Sequence, residues 1–370
     1  MAQNPLSLSK NLRLPKDTIL QTTIINTINR FLNEKEKANA MNSAVLRENL
    51  PATSALLDEF KKIERSEKFK DSLFYKCQLI SLTELDSLNF LAQVSYSGLY
   101  ENTIYPRAVF KLLLTKKDNN YYVSSPIKGN TSDWKKTKSG NKTVYSHSSL
   151  DPGKTKNYFK TIETFDKKLN SPVKEETFFF CTNFVEAQQV LGIDYKSDFN
   201  GRNTGVLSAN EDNHFLHVDG YFIPEKGSFD PHDLWHSRLH QVLPVEKINR
   251  PVDEGTAYLY GGSWGFSWEE ILEKFKVFAK NNPGANWLEL YNESKNFDEK
   301  AKYPLNVDFV INALIVRKIE KEKGFPVVLN LLTCGPKEKG NANYFLALEK
   351  LSGITKDRFN DLVNNLIAEK

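Results

Sequence analysis

Apolar residues in the first sixty positions recur three and four apart. Leu20, Ile24, Ile28, Phe31 and Leu32 follow Asp17, a residue able to cap a helix N-terminus, and predict a helix with one apolar face. A second helix is expected after Pro51, with Leu56, Leu57, Phe60 and Ile63 on its buried side. Between Tyr75 and Val123 the pattern changes to short runs rich in Val, Leu, Tyr and Phe. These end in Phe110 to Leu114, a Lys117-Asp118-Asn119-Asn120 turn and Tyr121 to Val123, which predicts antiparallel strands. Residues 1–127 thus read as an α+β unit, helices packed on an antiparallel sheet. The polar stretch 128–144, with Gly129-Asn130-Thr131-Ser132 and then Lys135 to Lys138, is the expected linker.

Residues 145–370 read as a second domain of mixed α and β. Tyr158, Ile162, Phe165 and Leu169 form a helical stripe. The β-rich Thr177 to Thr182 precedes Asn183 and Glu186 in capping-box relation, and Gly192 closes that helix. Phe215 to Val218 is a candidate edge strand. The last hundred residues are mostly helical: Ser267 with Glu270 starts one helix, Asn306 to Lys323 forms another closed by Gly324, and Thr355 can cap the last. By order of elements alone, the amino-terminal unit resembles the nuclear-transport-factor-like or cystatin-like rolls, which implies an interaction domain.

Composition narrows the function classes. Fifty basic residues against 46 acidic, mixed along the chain, give no basic patch and so no nucleic-acid partner. The apolar stretches, such as Phe178-Phe179-Phe180-Cys181 and Phe309 to Val316, fall far short of the roughly 20 residues of a membrane span. Cys77, Cys181 and Cys334 lie more than a hundred residues apart, too few and too scattered for a zinc ribbon or a disulfide framework. Buried cysteine behaves as a small hydrophobe, and the neighbours of Cys181 favour that role. Met1 to Pro5 lack the basic and apolar regions of a secretory leader, yet Ala2-Gln3 is the kind of small-residue junction at which a leader is cut. A periplasmic or secreted location is expected.

Five of the six histidines, His214, His217, His232, His236 and His240, fall within 27 residues. His232 and His236 are four apart in His232-Asp233-Leu234-Trp235-His236, so on a helix they direct their rings at a common point. Two nitrogen ligands at this spacing are how zinc metallopeptidases begin their metal site. Eighteen residues after His236 comes Glu254, in Asp253-Glu254-Gly255, able to add a carboxylate from a following helix.

On these residues the chain resembles the gluzincin branch of the zinc peptidases, the peptidase MA superfamily. There an H-E-x-x-H helix is followed by a third ligand glutamate in a short N-E-G or D-E-G helix. The resemblance covers roughly Tyr145 to Lys370 and implies a gluzincin-like domain of mixed sheet and helical tail. It also implies zinc at His232, His236 and Glu254, hydrolysis of peptide or amide bonds by metal-activated water, a peptide or protein as substrate or partner, and an exported bacterial protein group. Asp233 stands where the family has its catalytic glutamate. It is one methylene shorter, and a base must reach the proton it takes.

Other readings stand beside this one. Asp230-Pro231 looks like an N-cap followed by proline at the first helical position, which would make Asp233 a third-position residue bonding back to the cap. His240 offers a second pair with His236 or is a surface or satisfied histidine. His214 and His217, three apart on a strand, face opposite ways, so at most one joins the site. Tyr258 and Tyr260 can donate to a developing oxyanion or simply pack, and Tyr260 is taken as the catalytic donor beside Asp233. Trp264, Trp268 and Gly261-Gly262-Ser263 can line a cleft; no Lys-Ser/Thr follows the glycines, so they are not a phosphate loop. A catalytically inactive binding or envelope-assembly scaffold, and a metal-free cluster of structural histidines, are the alternatives to a hydrolase.

Overall fold

A computed structural model describes residues 5–147, 149–172, 174–220, 229–299 and 303–369. The reading of a leader junction at Ala2-Gln3 lies outside them. The chain divides into two units, one of residues 1–155 and 173–228, the other of residues 156–172 and 229–370. Both α-helix and β-strand are abundant, as the sequence pattern implies. No helix of the described residues is long and apolar enough to cross a membrane.

The first unit holds two sheets. In one, β1 (Leu6–Leu8), β2 (Lys76–Glu84), β3 (Asn89–Tyr100), β4 (Thr103–Lys117) and β5 (Asn120–Ser124) lie in that order. β1 runs parallel to β2 and the rest are antiparallel. In the other, β6 (Lys135–Ser139), β7 (Lys142–Ser146), β8 (Glu175–Phe180), β11 (His214–Asp219) and β10 (Val206–Glu211) follow one another across the sheet. A further strand, β9 (Ile193–Lys196), pairs with β4.

Helix α1 (Thr18–Asn33) begins where expected, its cap Asp17 accepting hydrogen bonds from the Ile19 and Leu20 amides. Helix α2 (Leu50–Asp58) ends before Phe60 and Ile63, but both remain buried. It contacts β5 of one sheet and β10 and β11 of the other. A helix with sheet on several sides needs apolar residues around most of its girth, which accounts for Leu50, Ala52, Ala55, Leu56 and Leu57 all being buried. Phe60 stacks on Phe110 at 4.0 Å between ring centroids and meets Phe31 edge-on at 5.5 Å.

Three expectations change here. The polar stretch 128–144 is not a linker: it contains most of α3 (Ile127–Asn130) and the hairpin of β6 and β7. Its polarity is that of a sheet margin, since all five residues of β6 are exposed and lysine suits an unpaired edge. The expected domain of residues 145–370 does not form one unit either, because β8 inserts in parallel between β7 and β11 and ties residues 173–228 to the preceding strands. For the same reason Phe215–Val218 is an interior strand, not an edge.

The second unit is helical. It contains most of α4 (Pro152–Leu169), whereas α5 (Phe184–Leu191) belongs to the first unit. Then come α6 (Pro231–Val242), α7 (Arg250–Gly261), α8 (Trp268–Asn281), α9 (Trp287–Asn292), α10 (Val307–Lys323), α11 (Phe325–Leu332), α12 (Ala342–Ser352) and α13 (Phe359–Ala368). Helix α10 is the centre of this unit, touched by α7, α8, α9, α11 and α13. Its run from Val310 to Val316 is wholly buried. Gly255 of α7 lies so close to it that an added Cβ would stand 2.6 Å from Asn312 Cβ, so glycine sets the spacing of the two helices. Arg238 of α6 forms a bidentate pair with Asp166 of α4, at 2.7 and 2.6 Å, which fixes α6 from the other side.

Candidate metal centre

The site begins at the N-terminus of α6. Asp230 accepts a hydrogen bond from the His232 amide at 2.9 Å and Pro231 occupies the first helical turn, the expected capping arrangement. From this turn His232 and His236 point the same way, their Nε2 atoms 3.2 Å apart. Helix α7 supplies Glu254, whose Oε2 lies 3.4 Å from His232 Nε2 and 3.7 Å from His236 Nε2. An ion held tetrahedrally at about 2.0–2.1 Å from its ligands separates the ligand atoms by about 3.3–3.4 Å. The three residues are geometrically able to hold a metal ion.

The outer nitrogens decide what the inner ones carry. His232 Nδ1 lies 2.8 Å from the Gly262 carbonyl oxygen, which can only accept, so that nitrogen bears the hydrogen. His236 Nδ1 likewise donates to Asp253 Oδ1 at 2.8 Å. Each neutral ring therefore turns an Nε2 lone pair toward the other and toward a carboxylate. Three electron-rich atoms this close require a positive charge among them, and a proton or a metal ion can provide it. With a proton there, burial works against the charge on His236, but hydrogen bonds and attraction from Asp253 and Glu254 outweigh it and raise the group to about 10. Burial pushes Glu254 up, yet its hydrogen bonds with the two histidines hold it well below the usual carboxylate range.

Asp253 also accepts from His240 Nε2 at 3.0 Å, so one carboxylate orients two histidines. His236, His240 and Asp253 form a second metal-capable group. Their 2.8 and 3.0 Å separations suit hydrogen bonds better than two ligands on one ion, which makes Asp253 and His240 the outer support of His236. Sequence reasoning passed over Asp253 as part of a motif, whereas His240, read as a second partner of His236 or as a surface or satisfied histidine, is exposed and bonded to Asp253. The signal for Asp253 was a carboxylate next to the third ligand. Also missed was Gly261, where a Cβ would stand 2.6 Å from the His232 nitrogen and the Pro231 carbonyl carbon. This contact lets the end of α7 reach the start of α6 and bring the Gly262 carbonyl to His232. Gly261→Val should therefore lower stability by about 1–3 kcal/mol in urea denaturation and loosen His232 at the same time.

Asp233 is exposed and makes no hydrogen bond or ion pair among the described residues, so the bond back to the cap does not form. Although the residue is exposed as a whole, partial loss of water around its carboxylate, with repulsion from Asp230 and Glu254 and against the pull of His232 and His236, raises its pKa. Tyr260 is not directed at the metal group: its hydroxyl donates to Glu320 at 2.6 Å, with Trp235 at 4.5 Å against its ring. Six residues beyond Glu254 on the same helix, it falls on another face. Tyr258, four residues from Glu254, lies 5.8 Å ring to ring from His232 and is the tyrosine beside the site.

His214 bonds Thr177 at 2.8 Å, and His217 is buried between Phe178 and Phe215, at 4.5 and 3.9 Å. Both are engaged within the first unit. Trp268 is buried in the core, whereas Trp264 is half exposed. Cys77 and Cys181 are buried and unpaired, Cys334 is partly buried, and burial pushes all three thiols up. No protein family model matches the chain, and no curated protein or solved structure matches it. The chemistry of the site rests on its own geometry.

Proposed function

We propose that the second unit binds zinc through His232, His236 and Glu254 and hydrolyses peptide or amide bonds. The observation that carries this reading is the convergence of two imidazole lone pairs and a carboxylate oxygen at tetrahedral spacing, each imidazole locked by an acceptor on its outer nitrogen. Two nitrogens and one oxygen leave a fourth position for water, the ligand set of catalytic rather than structural zinc sites. Zinc, when bound, lowers the pKa of such a water into the neutral range. Asp233, next to His232 and within electrostatic reach of His232, His236 and Glu254, is the carboxylate assigned to take the proton.

The short reach of Asp233 is the feature to test. If catalysis is limited by the missing methylene, Asp233→Glu brings the base closer and raises peptidase turnover by up to about 10²-fold. The assay is cleavage of a mixed peptide pool by the zinc-loaded protein, read by mass spectrometry. Equal, background cleavage by the parent and Asp233→Glu proteins would end the hydrolase reading. The exposed position of Asp233 would then favour a zinc-binding scaffold.

A further inference from the structure

We infer that Trp264, backed by Tyr303, is a substrate subsite for an aromatic side chain of an extended peptide, an assignment that rests on the hydrolase reading and adds its substrate class. Ser263 and Phe266 exchange two backbone hydrogen bonds, at 3.0 and 2.9 Å, and close a two-residue turn. Both central residues have positive φ, +53° at Trp264 and +84° at Gly265. Such a turn favours asparagine, aspartate or glycine at its first central position. A bulky side chain there is strained.

Burial does not compensate the strain. Trp264 is 51% exposed and Tyr303 43%. The two rings stack at 4.3 Å with an angle of 16° between them, and the indole N–H donates to the Pro304 carbonyl at 3.2 Å. These contacts fix the indole in an outward pose. A residue held at a conformational cost and left in solvent is better explained by what it binds than by the fold it supports.

Its place in the chain ties it to the metal centre. Gly262, two residues before Trp264, provides the carbonyl that orients His232, and two residues span at most about 7 Å. Ser263 and Asn306 lie near the Tyr258 hydroxyl, and the Tyr258 ring is 5.8 Å from that of His232. An extended peptide advances about 3.3 Å per residue. A peptide with its scissile bond at the metal can therefore reach the indole with a side chain a few residues away. The indole N–H is already used by Pro304, so the platform offers a ring face and no outward indole donor. That suits an aromatic side chain, which stacks by its face, better than a sugar, which needs partners around its rim.

The test uses the full chain labelled with 5-fluorotryptophan, zinc-loaded and zinc-free, with two probes: Ac-Ala-Ala-Phe-Ala-Ala-NH2 and the same peptide with alanine for phenylalanine. The Trp264 resonance, assigned by its loss in Trp264→Asn, should shift on adding the Phe peptide, which should bind about three- to tenfold more tightly than the Ala peptide. Trp264→Asn should abolish that preference without lowering the thermal midpoint, and Tyr303→Leu should reduce it. The ratio of two affinities in one protein is insensitive to partial misfolding. A preference retained in Trp264→Asn, a Trp264 resonance unmoved at saturating peptide, or a shift with chitotetraose in place of the Phe peptide would each overturn the subsite. Zinc content is measured on the same samples. Full zinc with no Phe preference removes the subsite alone; no zinc, with a Phe preference that depends on Trp264, removes the hydrolase reading alone.

Discussion

Elemental analysis should find one zinc per chain, and His236→Ala and Glu254→Gln should each weaken zinc binding about a hundred- to a thousandfold. The size follows from sharing the roughly 10–16 kcal/mol of a protein zinc site among four ligand positions, so that losing one removes about 2.5–4 kcal/mol. A competition titration with a chromophoric chelator reads the change directly. Asp253→Ala is the control for geometry: it removes no ligand but frees the His236 ring, and should cost about 10–100-fold. Zinc at a thousandfold excess over its Kd should add about 4 kcal/mol to stability, a gain that chelation reverses. If no form binds zinc, the cluster is a proton-sharing histidine pair and the metal-free reading of these residues is correct.

The parts of this site readable in the sequence are those set by local periodicity. Four-residue spacing places His232 and His236 on one helix face, and Asp230-Pro231 marks where that helix starts. The capping box of Ser267 and Glu270 was visible for the same reason, since both its partners lie within one turn. What could not be read depends on distant chain segments. Tyr258 and Tyr260 look equivalent in sequence, and only the helix packing shows one beside His232 and the other bonded to Glu320. The close approach at Gly261 is likewise a property of two helices together. The linker was misread because an exposed, lysine-rich edge strand has the composition of a loop. Residues 173–228 were assigned to the wrong unit because parallel pairing of β8 with β7 and β11 leaves no local signature.

Zinc affinity should rise about tenfold per pH unit, roughly a thousandfold between pH 6.5 and 9.5, because the ion displaces the proton shared by the cluster. His236 sits at about 10 in the metal-free protein, against an ordinary value of 6.5. Across that interval the free site is protonated, and each zinc bound releases one proton. Calorimetric titrations near neutral pH in PIPES and in HEPES, which bind zinc weakly and differ in ionisation heat, should therefore give different apparent enthalpies, the difference corresponding to one proton taken up by the buffer per zinc. The stability of the metal-free chain should run the opposite way. A group whose pKa is raised on folding contributes fully below its unfolded value, so the His236 contribution is complete below about pH 6.5 and is lost as pH climbs through about 10. Glu254, depressed on folding, contributes above its ordinary 4.5 and loses that contribution as pH falls through its lower folded value. From this pair the metal-free protein is most stable between about pH 4.5 and 6.5, and its urea midpoint should decline from neutral pH toward pH 10. Zinc-loaded protein should not follow that decline, since the charge that holds His232, His236 and Glu254 together then comes from the metal. An affinity flat across the interval, with no buffer-dependent heat, would show that zinc does not replace the His236 proton and that His236 is not its ligand.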